Sequence, residues 1–129
     1  DFLTIELPSK RKLYYANPKL EKNSWGQAAL TYDGMDQTTK KWAKLDSYGG
    51  KLVENVVQAI ARDCLAENIT RLTESGHEIV MHVHDEVIIE APLNVTVDSV
   101  CEVLGRPIEW AKDLLLTADG FETKYYRKD

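Results

Sequence analysis

Hydrophobic and polar positions change their period several times along this chain. Between Leu3 and Tyr15 they alternate: Leu3, Ile5 and Leu7, a break at Pro8-Ser9-Lys10, then Leu13, Tyr14 and Tyr15, closed by Asn17-Pro18. That pattern predicts a hairpin. Residues 21–40 are polar and mixed, and only Ala28-Ala29-Leu30-Thr31-Tyr32 suggests a short strand, with a loop after it. The period then becomes helical. Leu52, Val53, Val56, Val57, Ile60, Ala61, Cys64, Leu65, Ile69 and Leu72 recur at spacings of three and four until Ser75-Gly76, predicting one long helix from about Lys51 to Glu74. At 1.5 Å per residue it would be roughly 36 Å long. Ser47 is a candidate N-cap and Gly76 is placed for a left-handed C-terminal cap. Its apolar positions wrap more than one face, which predicts packing on two sides.

The next segment, Ile79 to Pro92, is the one around which the chain is organised. Two apolar, β-branched runs flank His84-Asp85-Glu86, and the interruption is so short that a hairpin turning at His84 and Asp85 is the economical path. Apolar residues fall on both sides, Ile79, Met81, Val83, Val87 and Ile89 on one and Val80 and Ile88 on the other, so the hairpin is expected to be a buried core element. Two adjacent carboxylates at the end of a buried hairpin are costly unless something cationic compensates them, and a divalent metal does so while also supporting chemistry. Read on its own, such a pair is more often a solvated turn. After Pro92, Thr96 or Asp98 can cap a short helix that Gly105 ends. Leu114-Leu115-Leu116, Asp119-Gly120 and the residues to Tyr126 then predict a strand, a turn and a closing extended segment, with Trp110, Phe121, Tyr125 and Tyr126 as packing residues.

Together these elements predict an α+β domain: a small antiparallel sheet centred on the buried hairpin, joined by strands from the N-terminal hairpin and the tail, and backed by the long helix and short helices. With 129 residues and 43% hydrophobic content, one domain is expected over 1–129, residues 1–47 forming an N-terminal hairpin and polar loop region and 48–129 the long helix, central hairpin and tail. The absence of an export signal or a membrane-length apolar run predicts a soluble, cytoplasmic chain with no membrane partner. Cys64 and Cys101, the only cysteines, read as reduced thiols. Asn68-Ile69-Thr70 and Asn94-Val95-Thr96 match glycosylation sequons by chance. Residues 1–50 carry eight basic against six acidic residues, and 51–129 carry eight against fifteen. A segment that gripped duplex DNA unaided would be basic, so any backbone grip must come from elsewhere. Lys10-Arg11-Lys12 is a solvated loop or a phosphate contact.

The order of an apolar run, Val83-His84-Asp85-Glu86, a second apolar run and Ala91-Pro92 resembles the third conserved motif of family A DNA polymerases, those of the DNA polymerase I type, and most closely their phage and prophage branch. Three more stretches carry the same resemblance. Tyr48-Gly49-Gly50-Lys51-Leu52-Val53-Glu54-Asn55-Val56-Val57-Gln58-Ala59-Ile60-Ala61-Arg62-Asp63 looks like the palm helix that precedes that motif. Leu7-Pro8-Ser9-Lys10-Arg11-Lys12-Leu13-Tyr14-Tyr15 resembles the hairpin after the fingers, and Ala118-Asp119-Gly120-Phe121-Glu122-Thr123-Lys124-Tyr125-Tyr126-Arg127-Lys128 resembles the family's C-terminus.

The resemblance implies the C-terminal palm portion of a DNA-directed DNA polymerase, a nucleotidyltransferase of DNA replication. Such enzymes add a deoxynucleotide to a primer 3′ end with two Mg²⁺ ions that activate the attacking oxygen and stabilise the leaving pyrophosphate. By motif matching Asp85 would bridge the metals, Glu86 would be the neighbouring carboxylate and His84 would help position the primer end. Gln58 would meet the minor groove edge of the primer-template, where acceptors at every base pair allow a shape check without reading sequence. Many relatives carry an asparagine one turn before that glutamine; here the position is Glu54, with Asn55 beside it. His77 and His82 carry no family role. The family's upstream aspartate and its triphosphate-binding fingers helix are not found, so the chain is expected to be inactive alone, with primer-template DNA, dNTP and the fingers, thumb and remaining palm as its partners. Two rivals stand beside this reading. One is a non-catalytic palm-like interaction module or split-polymerase subunit, prone to self-association through exposed apolar helix positions. The other is a metallohydrolase built on His82-Val83-His84-Asp85-Glu86, whose spacing is wrong for a His-x-His-x-Asp-His zinc pattern.

Overall fold

The computed structural model describes residues 1–23 and 25–128 and contains eight elements: β1 (Phe2–Glu6), β2 (Lys12–Lys22), β3 (Ala28–Met35), β4 (Trp42–Ser47), α1 (Gly49–Glu74), β5 (Glu78–Val83), β6 (Glu86–Glu90) and α2 (Val97–Leu104). The class is α+β and the sheets are antiparallel, as the sequence predicts. The strands do not form one sheet, however: β1-β2-β3-β4 make one, and β5-β6 make a separate two-stranded sheet. By contacts the chain divides inside α1 into two compact units, Asp1–Ile60 and Ala61–Asp129. No helix among the described residues is long and apolar enough to cross a membrane.

The first unit is two successive hairpins with the first turns of α1. Pro8 and Ser9 make the β1–β2 turn, in which Lys10 donates its N–H to the Leu7 carbonyl at 2.8 Å from a left-handed conformation with φ 75°, the three-residue loop that suits strand twist. Asn17-Pro18 does not end β2. It forms an irregularity between Ala16 and Lys19 across which pairing with β3 resumes, because a proline without an N–H is tolerated at a bulge. Strand β4, which falls where a loop is expected, pairs with β3 from Leu30↔Ser47 to Met35↔Trp42. Leu7, Tyr15 and Ala59 form the buried apolar centre. The Tyr15 ring meets the Tyr32 ring edge-on at 5.0 Å, and its hydroxyl accepts a hydrogen bond from Asn55 Nδ2 at 3.0 Å.

Helix α1 ends at the predicted Glu74 but starts at Gly49, two residues before the expected Lys51, and its N-cap differs. Leu52 donates to the carbonyl of Tyr48, so the cap position is Tyr48, one residue beyond Ser47. The Ser47 hydroxyl ends β4 facing inward, without a partner among the described residues. At the other end the prediction holds: Gly76 has φ 89°, Gly76 donates to Thr73 and His77 to Leu72, both at 3.0 Å, the paired closing bonds of a Schellman cap.

In the second unit, Cys64, Leu65, Leu72, Val103 and Ile108 are the buried apolar residues. Asn68 Nδ2 donates to the Leu104 carbonyl at 3.3 Å, and the Arg71 guanidinium donates to the carbonyls of Arg106 and Pro107 at 2.9 and 2.6 Å. Helix α1 is thus fastened to the end of α2. The hairpin is only half covered, with Val80 51% and Met81 40% exposed, which corrects the expectation of burial: among the described residues no third strand extends its sheet. The predicted face assignment changes too. An irregularity between Ile79 and Met81 shifts the register to Met81↔Ile88 and His82↔Val87, so Ile79, His82, Val87 and Ile89 share one face and Met81, Val83, Glu86 and Ile88 the other. Helix α2 is capped as predicted, Thr96 Oγ1 accepting from Ser99 N at 3.2 Å and Gly105 closing the end. The predicted strand at Leu114–Leu116 is not formed, since Leu115 is 93% exposed and a run of three leucines offers no alternation to pair.

Candidate active site at the hairpin tip

Pairing of Val83 with Glu86 leaves a two-residue turn, His84-Asp85. His84 takes φ 52° while Asp85 does not have a positive φ, the sign pattern of a type II′ turn, which ordinarily places glycine first. A non-glycine residue there costs about 1–2 kcal/mol. The strain rests on the residue that the motif places beside the acids. The turn has a second consequence: adjacent residues Asp85 and Glu86 belong to different structural contexts. Asp85 is an exposed turn residue; among the described residues its carboxylate has neither a hydrogen bond nor an ion pair. Glu86 is the first residue of β6 and half-buried. Tyr126 Oη donates to its Oε1 at 3.0 Å, and Lys128 Nζ approaches its Oε2 at 3.4 Å. The same bond pushes the Tyr126 hydroxyl above its ordinary pKa, because ionising it would place an anion against the carboxylate.

The candidate metal ligands fit a hard divalent cation that keeps most of its waters, and no cation that needs three or more protein ligands. Asp85 offers an open carboxylate and Glu86 one already engaged, whereas Mg²⁺ is content with one or two carboxylates and retained waters. Among the described residues no group of three or more His, Cys, Asp or Glu is placed to hold a metal. The zinc-hydrolase alternative needs such a group. His82 pairs with Val87 along the strand and is not assembled with others into one. The two thiols are free, and desolvation pushes both above their ordinary pKa, which makes them poor ligands and poor nucleophiles.

Gln58 lies on the first unit's part of α1, exposed, and its Nε2 donates to Glu54 Oε1 at 3.3 Å. Glu54 also pairs with Lys51 at 3.3 Å. Val53 and Val57 beside them are 62% and 60% exposed, so this part of the helix surface carries exposed apolar side chains next to the amide. Asn55 is committed to Tyr15 and is structural. The structure therefore brings together His84, Asp85, Glu86, Tyr126 and Lys128; Gln58 belongs to the other unit. Sequence reasoning took Tyr126 as packing and assigned Lys128 no role. Forty residues separate Tyr126 from Glu86, and the only linear signal is a basic, aromatic tail in a chain whose hairpin tip is acidic.

No protein-family model and no solved structure matches the chain. It is similar to the DNA polymerase of Bacillus phage SP02, with 54% identity over 129 residues covering 98% of this chain. The chain spans 20% of the length of that relative.

Proposed function

We propose that this chain is the C-terminal palm portion of a family A DNA-directed DNA polymerase, serving template-directed deoxynucleotidyl transfer to a primer 3′ end. The observation that carries the reading is the hairpin tip: a tight, strained turn presents one unpartnered carboxylate, Asp85, on a strand pair of the expected length, in a chain 54% identical to a phage DNA polymerase segment. Asp85 would be the metal ligand of this segment, and Glu86 the second carboxylate. An Mg²⁺ ion held there would supply activation of the primer oxygen and stabilisation of charge on the leaving pyrophosphate. His84, fixed in φ by the turn, offers an exposed imidazole that positions the primer end. Gln58 offers its amide to the minor groove edge, which requires it to release Glu54. That exchange is inexpensive because the bond is solvent-exposed. Acidic residues outnumber basic ones over residues 51–129, so the phosphate grip comes from other polymerase regions, as does the rest of the metal site. On this reading the 129-residue chain alone does not extend a primer.

The test is primer extension by a chimera in which this chain replaces the matching segment of the Bacillus phage SP02 polymerase. Asp85→Ala is expected to lower its rate by about 10²–10³-fold, the scale for removing one preorganised electrostatic group, with DNA affinity little changed. Extension that survives Asp85→Ala would reduce the hairpin tip to an ordinary turn and overturn the proposal.

A further inference from the structure

Glu86 is bound by the last residues of the chain, and nothing in the hairpin itself requires that. Each carboxylate oxygen has its own donor, Oε1 the Tyr126 hydroxyl and Oε2 the Lys128 ammonium. The segment that brings them is not a strand, yet it is anchored upstream. The Gly120 backbone runs so close to α2 that a Cβ there would meet Val97 Cγ1 at 3.2 Å and Cys101 Sγ at 3.7 Å. Farther along, the Arg127 guanidinium lies over the Phe121 ring at 5.4 Å, and Thr123 Oγ1 donates to the Tyr125 carbonyl at 2.8 Å. Residues 120–128 therefore form a strap from α2 to the hairpin tip.

We infer that Tyr126 and Lys128 are positioning residues of the hairpin-tip site. They turn the Glu86 carboxylate toward the strap and balance its charge, so that Asp85 alone stands open to a cation. This deepens the polymerase reading and rests on it for its catalytic half. Two neighbouring carboxylates repel, and without a partner a glutamate side chain samples several rotamers, some of which bring its charge against Asp85. A hydroxyl and an ammonium on opposite oxygens select one orientation. Outer partners of this kind commonly govern the affinity of the ion they never touch.

Two measurements test this separately. In the 129-residue chain, the carboxyl carbon of Glu86 is observed by carbon-13 NMR in H₂O and D₂O. An isotope shift to which the Tyr126 hydroxyl and the Lys128 ammonium both contribute is expected, and Tyr126→Phe should reduce it; no shift in the unaltered chain, or one that Tyr126→Phe leaves unchanged, would sink the inference whatever the enzyme does. In the SP02 chimera, Tyr126→Phe is expected to raise the Mg²⁺ concentration for half-maximal extension by about tenfold, the low end for an outer partner, with the KM for dNTP little changed. The same substitution in a Glu86→Gln background should then produce no further rise, whereas a tail that merely stabilises the fold would act equally in both backgrounds and leave the Mg²⁺ dependence alone. Lys128→Arg should restore what Lys128→Ala loses. Equal effects in both backgrounds overturn the positioning role. A chimera that is inactive with every residue intact overturns the polymerase reading and, with it, the catalytic half of the inference; the NMR result then still decides whether the strap holds Glu86.

Discussion

At the scale of single residues, the hairpin tip separates what adjacent letters in the sequence join. His84, Asp85 and Glu86 are neighbours, yet one carries backbone strain, one is open and one is tied to the tail. The strain has a measurable consequence. Because His84 sits at φ 52° and is exposed, replacing it with glycine removes the left-handed penalty and forfeits little packing, although glycine's greater freedom in the unfolded chain offsets part of the gain. His84→Gly should therefore raise stability by about 0.5–1 kcal/mol, seen as a higher urea midpoint at unchanged slope, while His84→Val lowers it by a similar amount. If His84 positions the primer end, the stabilised His84→Gly variant of the chimera will also extend more slowly, the usual opposition where strain serves a site. A glycine variant that is less stable would mean that the imidazole makes contacts worth more than the turn costs.

At the scale of elements, legibility followed the local signal. The long helix could be read because ten apolar residues hold one period between a glycine pair and a glycine stop, and Gly76 was legible as a left-handed cap because little else takes φ 89° cheaply. Gly76→Ala should cost about 1 kcal/mol, whereas Gly49→Ala, at a helical position with open space around its Cβ, should be neutral or slightly stabilising; chemical denaturation of the two variants side by side checks the contrast. Strand β4 was missed, although Trp42, Lys44 and Asp46 point outward while Ala43, Leu45 and Ser47 point inward, a clean alternation. Its turn has no Gly or Pro and is made by Asp36, whose Oδ1 accepts from the N–H groups of Thr38 and Thr39. An Asx turn of this kind leaves a weaker imprint on sequence. The bulge at Val80 was illegible for a different reason. Nothing in Ile79-Val80-Met81 marks an extra residue, and one unmarked residue reverses the face of everything before it. The bond between Glu86 and Tyr126 could not be read at all, since it depends on where a segment without periodicity happens to run.

At the scale of the whole molecule, the charge pattern implies a specific response to acid. Three carboxylates have pKa values pulled below the ordinary range: Glu21 chiefly by its hydrogen bond with Lys44, Asp36 by the backbone N–H groups of Thr39 and Thr38, and Glu102 by the Arg106 guanidinium. A carboxylate whose pKa is lower in the folded chain than in the unfolded one takes up protons less readily when folded. Its stabilisation is therefore complete above the unfolded value, about 4, and drains away as pH falls through the lower folded value. Stability should be level from neutral pH down to about pH 5 and decline below about pH 4. The three groups do not respond alike to salt. The partners of Glu21 and Glu102 are side-chain cations on an exposed surface, which salt screens, whereas Asp36 accepts from neutral backbone donors, which salt leaves in place. Urea midpoints measured from pH 7 to pH 2 should thus fall less steeply at about 1 M NaCl, where the Debye length is about 3 Å, than at low salt, and a residual slope should remain that Asp36→Asn removes. Identical slopes at both salt concentrations would assign the acid sensitivity to the backbone-bound turn alone. A slope of the opposite sign would mean that the acidic excess of residues 51–129 destabilises the folded chain by self-repulsion more than these pairings stabilise it.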